Sequence, residues 1–182
     1  MAETDGATPR ELLIEASRRN NTSLLHEVFT TPPCSTSPDA LAQFLNATTD
    51  ALGASALHIA AHYGSYDVLD SILDQEGVEI DARESRDGDT CLHRAVRFCN
   101  SAGGVTGEDG ERGRACVEIL VDAGCDPRIR NKAKLRPIDL VDPRNKELRS
   151  ILQKAEFAMM AGNDVVVEDD DDGADGTGSE SD

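Results

Sequence analysis

The chain has 182 residues, 38% of them hydrophobic, yet only 3% are aromatic and none is tryptophan. That length suits one compact domain with a tail, and a core limited to Ala, Val, Leu and Ile favours close helix–helix packing over a deep substrate pocket. The formal charge of −17 is uneven: residues 163–182 carry nine acids and no Lys or Arg, which leaves about −8 for everything before them.

The opening "MAETDGATPR" lacks the basic start and apolar stretch of a secretory signal. No apolar run approaches the roughly 20 residues of a bilayer span. The expectation is a soluble protein of the cytoplasm, the nucleus or both, with no membrane partner. Its five cysteines (Cys34, Cys91, Cys99, Cys116 and Cys125) are an odd number without a signal, so a disulfide framework is not expected.

At the front, "TPRE" (8–11) offers Thr8 as a helix N-cap, Pro9 at the first helical position and Glu11 to close a capping box. Leu13, Ala16, Asn20, Leu24, Leu25, Val28 and Phe29 then match Leu57, Ala60, Gly64, Val68, Leu69, Ile72 and Leu73 at a constant offset of 44. Residues 1–30 thus read as a degenerate, polar-faced copy of a later helix pair. Residues 31–50 form a Pro- and Ser-rich linker with a short helix predicted around Asp39–Asn46.

"SALHIAAHYG" (55–64) and "TCLHRAVRFC" (90–99) align at an offset of 35. In both, apolar residues at i, i+3 and i+4 draw one stripe of a short helix. Ser55 and Thr90 stand where N-caps belong, and Gly64 where a left-handed C-terminal residue belongs. Second stripes follow at Val68, Leu69, Ile72 and Leu73, and at Cys116, Val117, Leu120 and Val121. Between the helices of the later unit lies "NSAGGVTGEDGERG" (100–113), with the composition of a mobile surface loop. It reads either as a partner contact or as tolerated drift. "EGVEIDARESRDGD" and "AGCDPRIRNKAKLR" read as extended fingers leading to the next unit.

At the rear, Ile138 and Val141 mark a first helix that Pro143 cuts short, and Leu148, Ile151 and Leu152 mark a second. Residues 132–162 therefore read as a C-terminal capping unit, and 51–131 as two central ones. About four units result, which matters because one helix pair cannot bury its apolar face alone.

Helix, tight turn, helix and finger, at about 33 residues per unit, with Leu-His opening the first helix, resemble the ankyrin repeat. The resemblance covers residues 50–142. "DGDTCLHRAV" follows the family pattern except that Cys91 replaces its usual Pro, and Asp139 replaces the family His in the last unit. The fold this implies is an all-α ankyrin repeat solenoid with finger loops and a disordered acidic C-terminal tail. The resemblance also implies that His58 and His93 are structural, bonding the backbone of neighbouring fingers.

Two thiols around a histidine in "DTCLHRAVRFC" (89–99) raise the question of a zinc site or a thiol nucleophile. Zinc ligands must converge, whereas Cys91 and Cys99 would stand about 12 Å apart along a helix. Cys116 and Cys125 occupy positions of small core hydrophobes. No C-x-x-C, G-x-S-x-G, G-x-x-x-x-G-K-[ST] or H-E-x-x-H occurs. No cofactor, metal or catalytic activity is expected.

Function must then come from surface. Ile59, His62, Tyr63, Arg94, Arg97 and Phe98 lie on the first-helix face but outside the packing set. Tyr63 and Phe98 read either as partner anchors or as inter-repeat stacking. The last finger carries Arg128, Arg130, Lys132, Lys134 and Arg136 at alternate positions. In a straight strand they would share a face; a turn near Asn131–Ala133 would divide them. The overall negative charge opposes direct nucleic-acid binding, so the finger suits an acidic partner segment or the chain's own tail.

That tail, "VVVEDDDDGADGTGSESD", is too charged to fold alone. Asp169, Asp170, Asp171 and Asp172 could lure and shield a basic protein, ribosomal or histone-like, or simply keep the protein soluble. Thr177 and Ser179 have acids three residues on, as acidophilic kinases accept, and "VVVEDDDD" resembles a SUMO-interacting motif. Among ankyrin proteins the layout resembles small fungal chaperones of a ribosomal protein, with "DPRIRNK" (126–132) as the shared string. The expectation is a monomeric, non-catalytic protein-binding module, either an escort for a basic client or a regulatory adaptor that docks a peptide in its groove.

Overall fold

A computed structural model describes residues 6–101 and 107–162. The acidic tail, with Asp169, Asp170, Asp171, Asp172, Thr177 and Ser179, lies outside the described residues, as do residues 102–106 of the insertion. The described chain contains α1 (Pro9–Arg19), α2 (Thr22–Thr30), α3 (Pro38–Ala47), α4 (Ala56–Tyr63), α5 (Tyr66–Leu73), α6 (Cys91–Ser101), α7 (Glu108–Asp122) and α8 (Lys146–Ala161), with 3-10 turns at Cys34–Thr36 and Pro137–Leu140. Among these residues there is no strand, only an isolated bridge between Thr49 and Ser55.

Helix boundaries follow local chemistry. Thr8 and Glu11 complete the capping box: Thr8 N–H donates to Glu11 Oε2 at 2.8 Å and Glu11 N–H donates to Thr8 Oγ1 at 3.3 Å. At the other end Asn20 takes φ 52° and Gly64, its counterpart in the next unit, φ 65°. Both are left-handed caps, where Asn and Gly cost least. Asn20 also works across repeats, its Oδ1 accepting Val68 N–H at 3.1 Å in the first turn of α5.

Each unit pairs two antiparallel helices, and the units stack. α4 packs between α1 and α6, α5 touches α2 and α7, and α7 touches α8. The apolar stripes face inward: Leu13, Ala16, Leu57, Ala60, Ala61, Leu92, Ala95 and Val96 from the first helices, and Leu25, Val68, Leu69, Ile72, Val117, Leu120, Leu148 and Leu152 from the second, are all buried. Burying one such leucine is worth about 2 kcal/mol, and each needs a neighbouring unit to complete its burial. That dependence makes the stack one cooperative body.

Three features depart from the period. The linker helix α3 covers the edge of the second unit, its Asn46 accepting Glu79 N–H and donating to Gly77 O, both at 2.9 Å. Of the insertion read as a loop over 100–113, the described residues are mostly helical. α6 runs to Ser101, and α7 begins at Glu108 with Glu108, Asp109 and Glu111 in its first turn, where acids favour the helix dipole. Gly113 is the telling residue: a Cβ there would lie 2.6 Å from Cys99 Sγ and 3.1 Å from Phe98 Cδ1. This glycine permits close helix crossing rather than breaking a helix. The last unit keeps Ile138 and Val141 buried but compresses its first helix to the single turn Pro137–Leu140.

Candidate functional site

The first helices of the four units share one kind of cap. The third helical residue of each first helix, Glu11, His58, His93 or Asp139, accepts from the backbone N–H of Thr8, Ser55, Thr90 or Arg136. The two histidines do more. His58 Nδ1 takes Ser55 N–H at 3.3 Å and its hydroxyl at 2.8 Å, so the ring proton belongs on Nε2. From there it donates to Asp89 O at 3.0 Å, in the next finger. His93 repeats this with Thr90 and with Leu135 O at 2.9 Å. Burial pushes both imidazole pKa values down, against the carbonyl bonds that raise them. Asp139, a carboxylate with no N–H to donate, caps its own turn and pairs with the Arg136 guanidinium instead of reaching a further finger.

Beside the histidines a charged cluster ties the central finger together. Glu84 and Asp89 are buried. Glu84 accepts the backbone N–H groups of Arg86 and Asp87 at 2.6 Å and of Asp89 at 3.3 Å. Asp89 accepts Arg97 Nε at 2.7 Å and Asn131 Nδ2 at 2.8 Å. Burial pushes both carboxyls up, but these donors and the neighbouring arginines outweigh it and hold them below their ordinary values. Arg94 lies 3.4 Å from Glu84 and 3.8 Å from Asp89. Glu84, Asp87 and Asp89 are the group of possible metal-ligating oxygens among the described residues. Their oxygens already serve amides and guanidinium groups, which compete with a cation.

The open face runs across these elements. A cleft of about 180 Å³ is lined by Arg18, Asp50, Leu52, Ala54, His58, Ile59, His62, Tyr63 and Arg94. A wider groove of about 800 Å³ shares Arg18 and Asp50 and adds Arg10, Leu12 and Ile14. Tyr63 is 48% exposed and Leu52 45%, with the His62 ring edge-on to Tyr63 at 5.0 Å. Asp50 is spent on shaping the finger, accepting Leu52 N–H at 2.8 Å and Ala54 N–H at 3.0 Å. Glu15 is taken by Arg19, which leaves Arg18 without an ion pair among the described residues. Arginine, imidazole and exposed apolar groups can hold a peptide; no nucleophile and base are paired here.

Several expected surface residues sit elsewhere. Ile59 is only 4% exposed and lies at the floor of the cleft that Leu52 and Ala54 also line. Phe98 is half-buried, its ring lying where a Cβ on Gly64 would come within 2.3 Å; it stacks between repeats. Arg94 lines the cleft, but both Arg94 and Arg97 are engaged by the Glu84–Asp89 cluster. Only His62 and Tyr63 of that set are exposed. Arg10, Arg18 and Leu52, which reasoning from the sequence passed over, lie on the groove. The signal for the arginines was the i, i+4, i+8 spacing of Arg10, Ile14 and Arg18 on α1.

The last finger closes as a turn, with Lys134 N–H donating to Asn131 O and Asn131 N–H to Leu135 O, both at 2.9 Å. Its cations therefore do not share one face. Arg128 is held by Asp126 at 2.9 Å, and Arg136 by Asp139 and Glu156 at 3.0 Å. Arg130 reaches the Lys134 carbonyl at 2.7 Å, and Lys132 Nζ reaches the Ser85 and Arg86 carbonyls of the preceding finger.

The cysteines are packing groups. All five are free and buried. Cys91 lies 3.8 Å from Cys125, sulfur to sulfur, and both face Ile80 O. Burial pushes the Cys99 thiol up to about 11 and that of Cys116 up to about 12, while the Cys91 contact and burial raise Cys125. Nucleophilic thiols need the opposite shift.

Comparison with known proteins agrees with this architecture. The profile described as "Ankyrin repeats (many copies)" matches residues 57–102, and that described as "Ankyrin repeat" matches 87–132. The Saccharomyces cerevisiae "Ankyrin repeat-containing protein YGL242C" is 41% identical over 162 residues, which covers 88% of this chain and 84% of that protein. With that identity over most of both chains, and with stacked helix pairs stapled by the Leu-His positions, this chain belongs to the ankyrin-repeat family of protein-interaction modules.

Proposed function

We propose that the protein is a non-catalytic escort that holds a protein client along its concave groove, while the acids of residues 163–182 cover a basic stretch of that client, in the cytoplasm or the nucleus. The observation that carries the reading is the open face of α1 and α4. The helices behind it are fully packed, yet Leu52 and Tyr63 remain about half exposed between Arg18 and His62. Exposed aromatics of this kind are the usual anchors of an interface. The nine acids without a cation in 163–182 support a basic client, since opposite charge raises encounter rates and selects partners.

The test is affinity capture with the full chain, compared with a variant carrying Asp169→Asn, Asp170→Asn, Asp171→Asn and Asp172→Asn. Basic partners recovered by the native chain, lost from the variant and weakened by salt support the escort. A regulatory adaptor that docks a peptide in the groove is the second reading, favoured by Arg10 and Arg18 on that face. It requires partners that the tail variant retains. Recovery of the same basic proteins by both chains removes the escort reading.

A further inference from the structure

The last finger holds positive charge that nothing in the described fold neutralises. Of its five cations, Arg128 and Arg136 have carboxylate partners at about 3 Å, whereas Arg130, Lys132 and Lys134 have no ion pair among the described residues. Their contacts are backbone carbonyls, Lys134 O for Arg130 and Ser85 O and Arg86 O for Lys132. Such bonds fix the side chains without cancelling their charge. Lys134 itself sits in the turn with φ 62°. All three residues are exposed. They form a rigid positive tip on a body whose net charge is negative.

The last described helix contacts the finger that carries that tip. α8 runs alongside the finger, because Glu156 bonds Arg136 at 3.0 and 3.1 Å. Gly162 follows six residues later, about 9 Å along a helix, and Asp169 seven residues beyond that, at most about 25 Å of extended chain. Four consecutive aspartates, Asp169 to Asp172, therefore come within reach of Arg130, Lys132 and Lys134. Tethering at such a span gives an effective concentration on the order of millimolar, and the acids have no cation of their own in 163–182.

We infer that, when no client is bound, Asp169–Asp172 dock on the positive tip formed by Arg130, Lys132 and Lys134 of the same molecule. The contact covers the finger and stores the acids, and a basic client competes for them. The inference goes beyond the escort reading and does not need the client's identity.

Carbodiimide coupling, which joins a carboxylate to an amine in direct contact, tests it on the full chain at low protein concentration. Peptide mapping of the monomer band should place Asp169–Asp172 on Lys132 or Lys134, with a yield about ten-fold above that on Lys146, which shares the tether but not the positive tip. The coupling should fade between about 0.01 M and about 1 M salt, as screening shortens from about 30 to about 3 Å. A variant with Arg130→Glu and Lys134→Glu, its folding checked by circular dichroism, should lose coupling at Lys132. Acylation by a small reagent shows that the two lysines of the native chain are reactive. Reactive lysines with even coupling over Lys132, Lys134, Lys146 and Lys154 would falsify the contact, as would indifference to salt. Coupling confined to a dimer band would place the tail on a second copy and overturn it equally. Failure here leaves client capture by the groove untouched, and failure of client capture leaves this coupling untouched.

Discussion

His93 and Leu135 are joined across 42 residues of sequence by a 2.9 Å contact from the ring Nε2 to the backbone carbonyl. The other ring nitrogen accepts from Thr90 within its own helix cap. One buried side chain thus caps the start of α6 and anchors the following finger. Replacement by alanine leaves the Leu135 carbonyl and the Thr90 amide unsatisfied and opens a void. His93→Ala should cost about 3 kcal/mol, read as a lower urea midpoint with a largely unchanged slope. A cost under a fifth of that would show that the bridge does not hold the stack.

Acid should loosen the same two joints. The unfolded chain protonates its histidines near 6.5, while His58 and His93 in the fold resist protonation to lower pH because burial dominates. Below 6.5 the unfolded state therefore binds more protons than the native one, and stability falls with pH. It is complete above 6.5 and is lost as pH drops from there through the lowered folded values. A second loss follows at more acid pH, where Glu84 and Asp89, held below their ordinary 4.5 and 3.8, finally protonate. Urea titrations at pH 8, 6.5 and 5.5 should show the first step, and a flat profile would contradict it.

Gly113 should be intolerant of alanine although alanine is the better helix former. The added Cβ meets Cys99 Sγ at 2.6 Å across the α6–α7 contact. Overpacking of this kind costs about 2 kcal/mol. Thermal unfolding should show Gly113→Ala well below the native chain, with much of the loss recovered on adding Cys99→Ala, which removes the obstructing sulfur.

Removing Asp89 should break the charged cluster rather than trim it. Arg97, Asn131 and the nearby Arg94 all look to its two oxygens, and Asp89→Ala leaves them facing a buried gap. A loss of about 3 kcal/mol is expected, with faster proteolysis at the 84–90 finger than elsewhere as the local signature.

Tyr63 separates binding from folding. It is exposed and makes its ring contact with its neighbour His62, so Tyr63→Ala should change stability by less than about 0.5 kcal/mol. The same substitution should reduce client recovery in the capture experiment. Unchanged recovery would remove Tyr63 from the interface.

Much of the stack was legible from residue spacing. Leu57, Ala60, Leu92 and Ala95 repeat because a short helix packed on two neighbours needs the same stripe each time, and His58 and His93 repeat because the cap and the finger carbonyl recur with them. Gly113 was misread because glycine breaks isolated helices, and only the arrival of Cys99 on the facing helix explains its place in α7. Ile59 reads as surface from its spacing, and Phe98 as either anchor or inter-repeat stacking, because helical periodicity is blind to what a finger or a neighbouring repeat lays over a face.

The sequence by itself determined the repeat, the caps and the burial stripes, since these are set by local periodicity and by side chains bonding their own backbone. The tertiary structure alone decided which cations are free. Arg136, Arg94 and Arg97 find Glu156, Glu84 and Asp89 on other elements, whereas Arg18, Arg130 and Lys134 have no ion pair among the described residues, and such pairing depends on distances across the stack that no spacing along the chain encodes.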